Sequence, residues 1–243
     1  MTIDLLKTVR AQSPMRSKDF IWGVATSSYQ IEGAINADGR IPSIWDSFCD
    51  QPGRILDSSS GIDACDHFHL FEQDLDLIKI LGFDSYRFSV AWPRVLDSNQ
   101  QINEKGIAFY DRLIDGMLER GIDPMLTLYH WDLPDYLQKR GGWSHPDIPK
   151  LFADYSRLMM QRFGDRVSSW ATLNEPWCSS FLSFDLGVHA PGLKDRYEAL
   201  RVGKGLLMGH GLSIEAMRAE NAKASLGIVI NPDVVYPASD SAE

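Results

Sequence analysis

Five short apolar runs, each bounded by turn signals and separated by longer amphipathic stretches, constrain this chain more than any other feature. They fall at residues 21–25, 85–91, 125–130, 168–174 and 226–231. Most are apolar on both faces, as a parallel strand covered on two sides must be. Between them the period changes from two to that of a helix. Ile107, Tyr110, Ile114, Met117 and Leu118 share one helical face, and Gly121 supplies the stop. Phe71, Leu75 and Ile78 repeat the pattern, with Asp66 placed to cap the start and Gly82 the end. Residues 151–163 and 197–220 read as two further helices. Strand and helix alternating without a linker or composition shift predict one α/β unit on a parallel sheet.

Alternation alone does not separate an open doubly wound sheet from a closed barrel. The open sheet would carry a phosphate loop, but no G-x-G-x-x-G follows the first run and no G-x-x-x-x-G-K-S/T occurs. Polar and aromatic residues instead cluster where strands should end: Gln30 and Glu32 after the first, His130, Trp131 and Asp132 after the third, Asn174 and Glu175 after the fourth. Function at the carboxyl ends of strands is the habit of barrels.

Composition narrows the partners. A net charge of -9, spread along 243 residues, argues against nucleic acid and anionic membranes and suits an uncharged substrate. Three cysteines, Cys49, Cys65 and Cys178, form neither a disulfide framework nor a metal pattern, which points to a reducing, cytoplasmic setting. No stretch approaches the ~18 apolar residues of a membrane span, and the N-terminus lacks a signal-peptide core. His67 and His69, two apart on a helix, should face different directions and bind no metal together. His210, on the predicted face of Leu207 and Ile214, should be a hydrogen-bonded core residue. Cys178, with no histidine near it in sequence, should pack rather than react.

In T-L-N-E-P-W, Glu175 sits at the mouth of a strand that Pro176, lacking an N–H, should terminate. Glycosidic cleavage needs one carboxylic acid to protonate the leaving oxygen and a second carboxylate to attack or to activate water. Sugars, with hydroxyl edges and apolar faces, call for polar side chains beside aromatic platforms.

The segments F-I-W-G-V-A-T-S-S-Y-Q-I-E-G-A, S-Y-R-F-S-V-A-W-P-R, L-Y-H-W-D-L-P, T-L-N-E-P-W-C and G-V-H-A-P-G occur in the order found in family 1 β-glucosidases, and from about Phe20 onward the chain resembles that family. The resemblance implies a (β/α)8 TIM barrel, of which residues 20–243 would encode the first five strands after an N-terminal extension of residues 1–19. It implies retaining double displacement at terminal non-reducing β-D-glucosyl residues without cofactor or metal, on a β-glucoside or cellobiose-type substrate, as in cellulose degradation. Glu175 matches the acid/base. Asn174 matches its neighbour that contacts the sugar 2-OH, and Gln30, His130 and Trp131 match the lining of the non-reducing subsite. Arg87 matches the arginine that keeps the nucleophile ionised, and Trp177 and Cys178 flank the leaving-group side.

The family nucleophile lies in a T/V-E-N-G motif on the seventh strand, and this chain contains no E-N-G. Glu220 and Asn221 fall in a predicted helix and are followed by Ala222. The tail N-P-D-V-V-Y-P-A-S-D-S-A-E resembles the loop after the fifth strand. Isolated strand edges invite aggregation, so a C-terminal half-barrel chain is expected as partner, separated by nicking of a small polar loop or by a split, a truncated sequence being the competing explanation. A 6-phospho-β-glycosidase and a catalytically silent sugar-binding half-barrel are the alternative readings.

Overall fold

Residues 13–232 and 236–239 are described by the computed structural model. The N-terminal residues 1–12, and residues 233–235 and 240–243 of the tail resembling the loop after the fifth strand, lie outside them. In chain order the elements are β1 (Gly23–Ala25), α1 (Ser28–Ile31), α2 (Ile44–Cys49), α3 (His67–Leu81), β2 (Ser85–Ser89), α4 (Trp92–Val95), α5 (Glu104–Glu119), β3 (Asp123–Tyr129), α6 (Asp135–Lys139), α7 (Ile148–Phe163), β4 (Ser169–Asn174), a π-helix (Cys178–Asp185), α8 (Arg196–Glu220) and β5 (Ser225–Val229). The strands form one sheet in the order β1-β2-β3-β4-β5, every pair parallel. Among the described residues β1 and β5 each pair on one side only.

All five predicted strands and all four long helices are present, with ends moved by a few residues. The apolar faces explain why. In α5, Ile107, Tyr110, Ile114 and Met117 are buried, whereas Leu118, assigned to the same face, is 41% exposed. In α7, Phe152, Tyr155, Met159 and Phe163 are buried, and Tyr155 stacks on Trp92 with ring centroids 4.9 Å apart. Each large side chain buried this way contributes roughly 1.5–3 kcal/mol through water exclusion.

The two ends of α3 behave differently. Gly82 closes α3 in the left-handed conformation at φ 81°, where a glycine carries no Cβ penalty. Asp66 stands at the N-cap of α3 but is itself left-handed, at φ 53°, and makes no side-chain cap. Its carboxylate instead meets His69 Nδ1 at 2.6 Å. His67 is buried with Nδ1 2.6 Å from Asp74, so the two histidines do face apart. On α8, Leu207 is 58% exposed, contrary to the core face assigned to it, while His210 is half-buried and its Nδ1 lies 2.7 Å from Thr172 Oγ1. Glu220 ends α8, and Asn221 caps it and donates from Nδ2 to the Gly164 carbonyl. No helix among the described residues is long and apolar enough to cross a membrane.

The short helices after β1, β2, β3 and β4 were not legible as elements. They shape the connections at the carboxyl ends of the strands, where the polar residues collect.

Candidate active site

The connection after β1 runs straight into α1, which carries Gln30. The connection after β3 turns sharply at Trp131, whose φ of 80° is unusual for a bulky side chain. The turn is held in place by contacts on several sides. Trp131 Nε1 donates to the Asn174 carbonyl at 2.8 Å, and its ring lies 5.1 Å from both His130 and His189. His189 in turn lies 5.5 Å from Trp45. Gln30, His130, Trp131, His189, Trp45 and Tyr29 thereby line one cleft of about 340 Å³.

Strand β4 ends at Asn174. Glu175 follows in a left-handed turn at φ 48°, yet its N–H still bonds to the Val229 carbonyl of β5 at 2.9 Å. The ladder thus reaches one residue past the strand. Pro176 does more than end it: it leads into the π-helix, a form that recurs at functional sites. The Cys178 thiol donates to Glu175 Oε2 at 3.4 Å and accepts from Asn231 Nδ2 at 3.4 Å, so Cys178 is a buried packing residue that also touches the carboxylate. Burial, helped by Glu175, pushes the Cys178 thiol up to about 11, which keeps it protonated and unreactive.

Charge at this rim is tuned mainly by desolvation. Burial, with a smaller repulsion from Arg87, depresses His130 to about 4, so its imidazole is neutral at physiological pH. Burial also lowers His189, and the Glu175 carboxylate opposes that shift. Asp132 is driven up to about 7 by burial, with Glu32 pushing the same way and the Ser28 hydrogen bond and Arg40 pulling down.

Besides His189 Nδ1 and Asp132 Oδ1, three buried polar atoms here have no hydrogen-bond partner among the described residues: Asn174 Oδ1, His130 Nδ1 and Arg87 Nε. Buried polar groups are rarely left so unless a ligand or water completes them. Sequence reasoning named all three residues. It also named Gln30 and Trp131, which the cleft brings together, and Glu175 and Cys178, which touch. Trp177 stands apart, 47% exposed, lining a separate cleft of about 310 Å³ with Pro176 and Asn231.

Glu32 departs from its expected place beside Gln30. It is turned into the core, accepting from Arg94 Nε at 2.9 Å and from the Tyr110 hydroxyl at 2.6 Å. His189 and Trp45 were not assigned a role in the sequence. The only signal for His189 was its place in G-V-H-A-P-G, and for Trp45 none, because its ring reaches the cleft only through the packing of α2.

Five parallel β/α units in unbroken strand order, with unsatisfied polar groups toward the carboxyl ends of the strands, make this part of a (β/α)8 barrel. A family model described as Glycosyl hydrolase family 1 matches residues 12–243, and the chain belongs to that family. It is 48% identical over 227 residues to beta-glucosidase A of Acetivibrio thermocellus, covering 93% of this chain and 51% of that protein. It is 49% identical over 223 residues to a beta-glucosidase of Agrobacterium sp., covering 91% and 49%. The family 1 β-glucosidase structure from Thermotoga maritima superposes with a TM-score of 0.91 at 45% identity, covering 93% of this chain and 51% of that one. The chain spans about half the length of the relatives it matches.

Proposed function

We propose that this chain carries the acid/base side of a retaining β-glucosidase. The observation that carries the reading is the rim formed by Asn174, Glu175, His130 and Arg87, where three buried polar atoms lack partners beside a carboxylate on a rigid strand end. The relatives named beta-glucosidase support the same substrate class.

In this reading Gln30, His130 and Asn174 hold the hydroxyls of the terminal glucosyl unit, with Trp131 beside its apolar face. A glutamate supplied from outside these 243 residues attacks C1 as the glycosidic C1–O bond breaks, and Glu175 gives its proton to the departing oxygen. Water then attacks C1 of the glycosyl-enzyme, the C1–carboxylate bond breaks, and Glu175 takes the water proton. Arg87 keeps the attacking carboxylate ionised, while Trp177 and Cys178 flank the leaving group. No cofactor or metal enters these steps. The partner is a C-terminal half-barrel that completes the sheet beyond β1 and β5, either within a longer chain or as a second polypeptide. Three free cysteines support a reducing, cytoplasmic setting.

Hydrolysis of an aryl β-glucoside by the completed protein should fall by roughly 10²–10⁴ in Glu175→Gln. Near-normal turnover in that variant would refute the assignment.

A further inference from the structure

Three strand-end connections meet in a buried chain of hydrogen bonds beneath the cleft. The Ser28 N–H, at the start of α1, donates to Ser89 Oγ at 2.8 Å, and Ser89 is the last residue of β2. The Ser89 hydroxyl donates to Ser28 Oγ at 3.1 Å, and the Ser28 hydroxyl donates to Asp132 Oδ2 at 2.7 Å. Every donor points toward Asp132, which closes the chain as a pure acceptor when ionised. Ser28, Ser89 and Asp132 are all at most 3% exposed.

The ends of this chain matter because of what stands next to them. Ser28 lies two residues before Gln30 on the same short helix, and Asp132 directly follows His130 and Trp131. A four-residue helix has no cooperative stability of its own, so its orientation must come from such contacts. The left-handed turn at Trp131 likewise persists only where its surroundings over-determine it. One face of that turn is fixed by the Trp131 bond to the Asn174 carbonyl. Just downstream, the Ile44 N–H bonds to the Leu133 carbonyl at 2.9 Å. Asp132 lies between these two fastenings.

We propose that Asp132 is a positioning residue: through Ser28 and Ser89 it locks the helix bearing Gln30 to the turn bearing His130 and Trp131, fixing the spacing of the sugar-binding groups. The inference rests on the reading of the cleft as a sugar site. Asp132 touches no substrate, and it acts by removing relative motion between two loops that would otherwise move independently.

The test uses the full-length protein and three variants, Ser28→Ala, Asp132→Ala and Asp132→Asn. Ser28→Ala and Asp132→Ala should raise KM for an aryl β-glucoside roughly tenfold, since small misplacements of binding groups are costly. A loss confined to binding leaves kcat within about threefold. Amide exchange should quicken in peptides covering residues 26–34 and 128–134 and stay at the wild-type rate in α7. Asp132→Asn should recover most of both effects, because its amide oxygen still accepts from Ser28. Unchanged KM and unchanged exchange in Ser28→Ala would overturn the proposal, as would a loss in Asp132→Asn as large as in Asp132→Ala. If Asp132→Ala does not fold, Ser28→Ala decides. If Glu175→Gln proves fully active, the glucosidase reading fails by itself, and the exchange comparison still judges the lock.

Discussion

The Trp131 indole N–H donates to the main-chain carbonyl of Asn174 at 2.8 Å, fastening the turn after β3 to the strand end that presents Glu175. The two residues are 43 apart in sequence, and the bond makes one rim of two connections. Replacing Trp131 by Phe keeps an aromatic ring but deletes the donor. The buried carbonyl then loses its partner, so stability in urea denaturation should drop by about 1 kcal/mol. In the completed enzyme KM for an aryl β-glucoside should rise as well, because the turn is freed at the point where it meets the site.

His130 should remain a neutral imidazole down to about pH 4, as read by nitrogen chemical shifts in an NMR titration. Its folded value lies below the ordinary 6.5. Below that pH the unfolded chain takes up a proton that the folded site refuses, so stability contributed by neutral His130 is lost as pH falls from 6.5 toward 4. In His130→Gln this part of the acid sensitivity should disappear.

Glu32 and Arg94 form an ion pair with side chains 6% and 0% exposed, and the Tyr110 hydroxyl completes the carboxylate. Breaking such a pair strands a charge, so Arg94→Met should cost about 3–5 kcal/mol in chemical denaturation. The double variant Glu32→Gln/Arg94→Met should be less damaged than Arg94→Met, since it no longer buries a lone carboxylate. A double variant that is worse would mean the loss comes from packing against Phe68, 4.5 Å beneath the guanidinium.

Gly205, buried within α8, passes so close to the Trp143 main chain that an added Cβ would sit far inside van der Waals contact distance of that carbonyl oxygen. Backbone cannot swing aside as a side chain can. Gly205→Ala should therefore destabilise by at least ~1–3 kcal/mol despite the higher helix propensity of alanine. At Gly211 on the same helix nothing crowds the Cβ position, and Gly211→Ala should be neutral or stabilising by thermal melting.

Much of the fold was legible because the information is local. A buried parallel strand must be apolar on both faces and an amphipathic helix must repeat every 3.6 residues, so β2 to β5 and α3, α5, α7 and α8 announce themselves in short windows. The motifs added Gln30, Arg87, His130, Asn174 and Glu175 as candidates for one site. Sequence reading failed where the outcome depends on which distant residues become neighbours. Glu32 is two residues from Gln30 in sequence, but its partner Arg94 lies 62 residues away and draws it into the core. His189 joins Trp131 only because the segment after the π-helix folds back over the turn. Ser28 and Asp132 are 104 residues apart, and no periodicity links them. Local patterning along the chain set the alternation of elements and the residue types at the strand ends. Which of those polar groups are satisfied by one another and which stay unpartnered depends on the folded chain, because hydrogen bonding and desolvation are set by three-dimensional proximity.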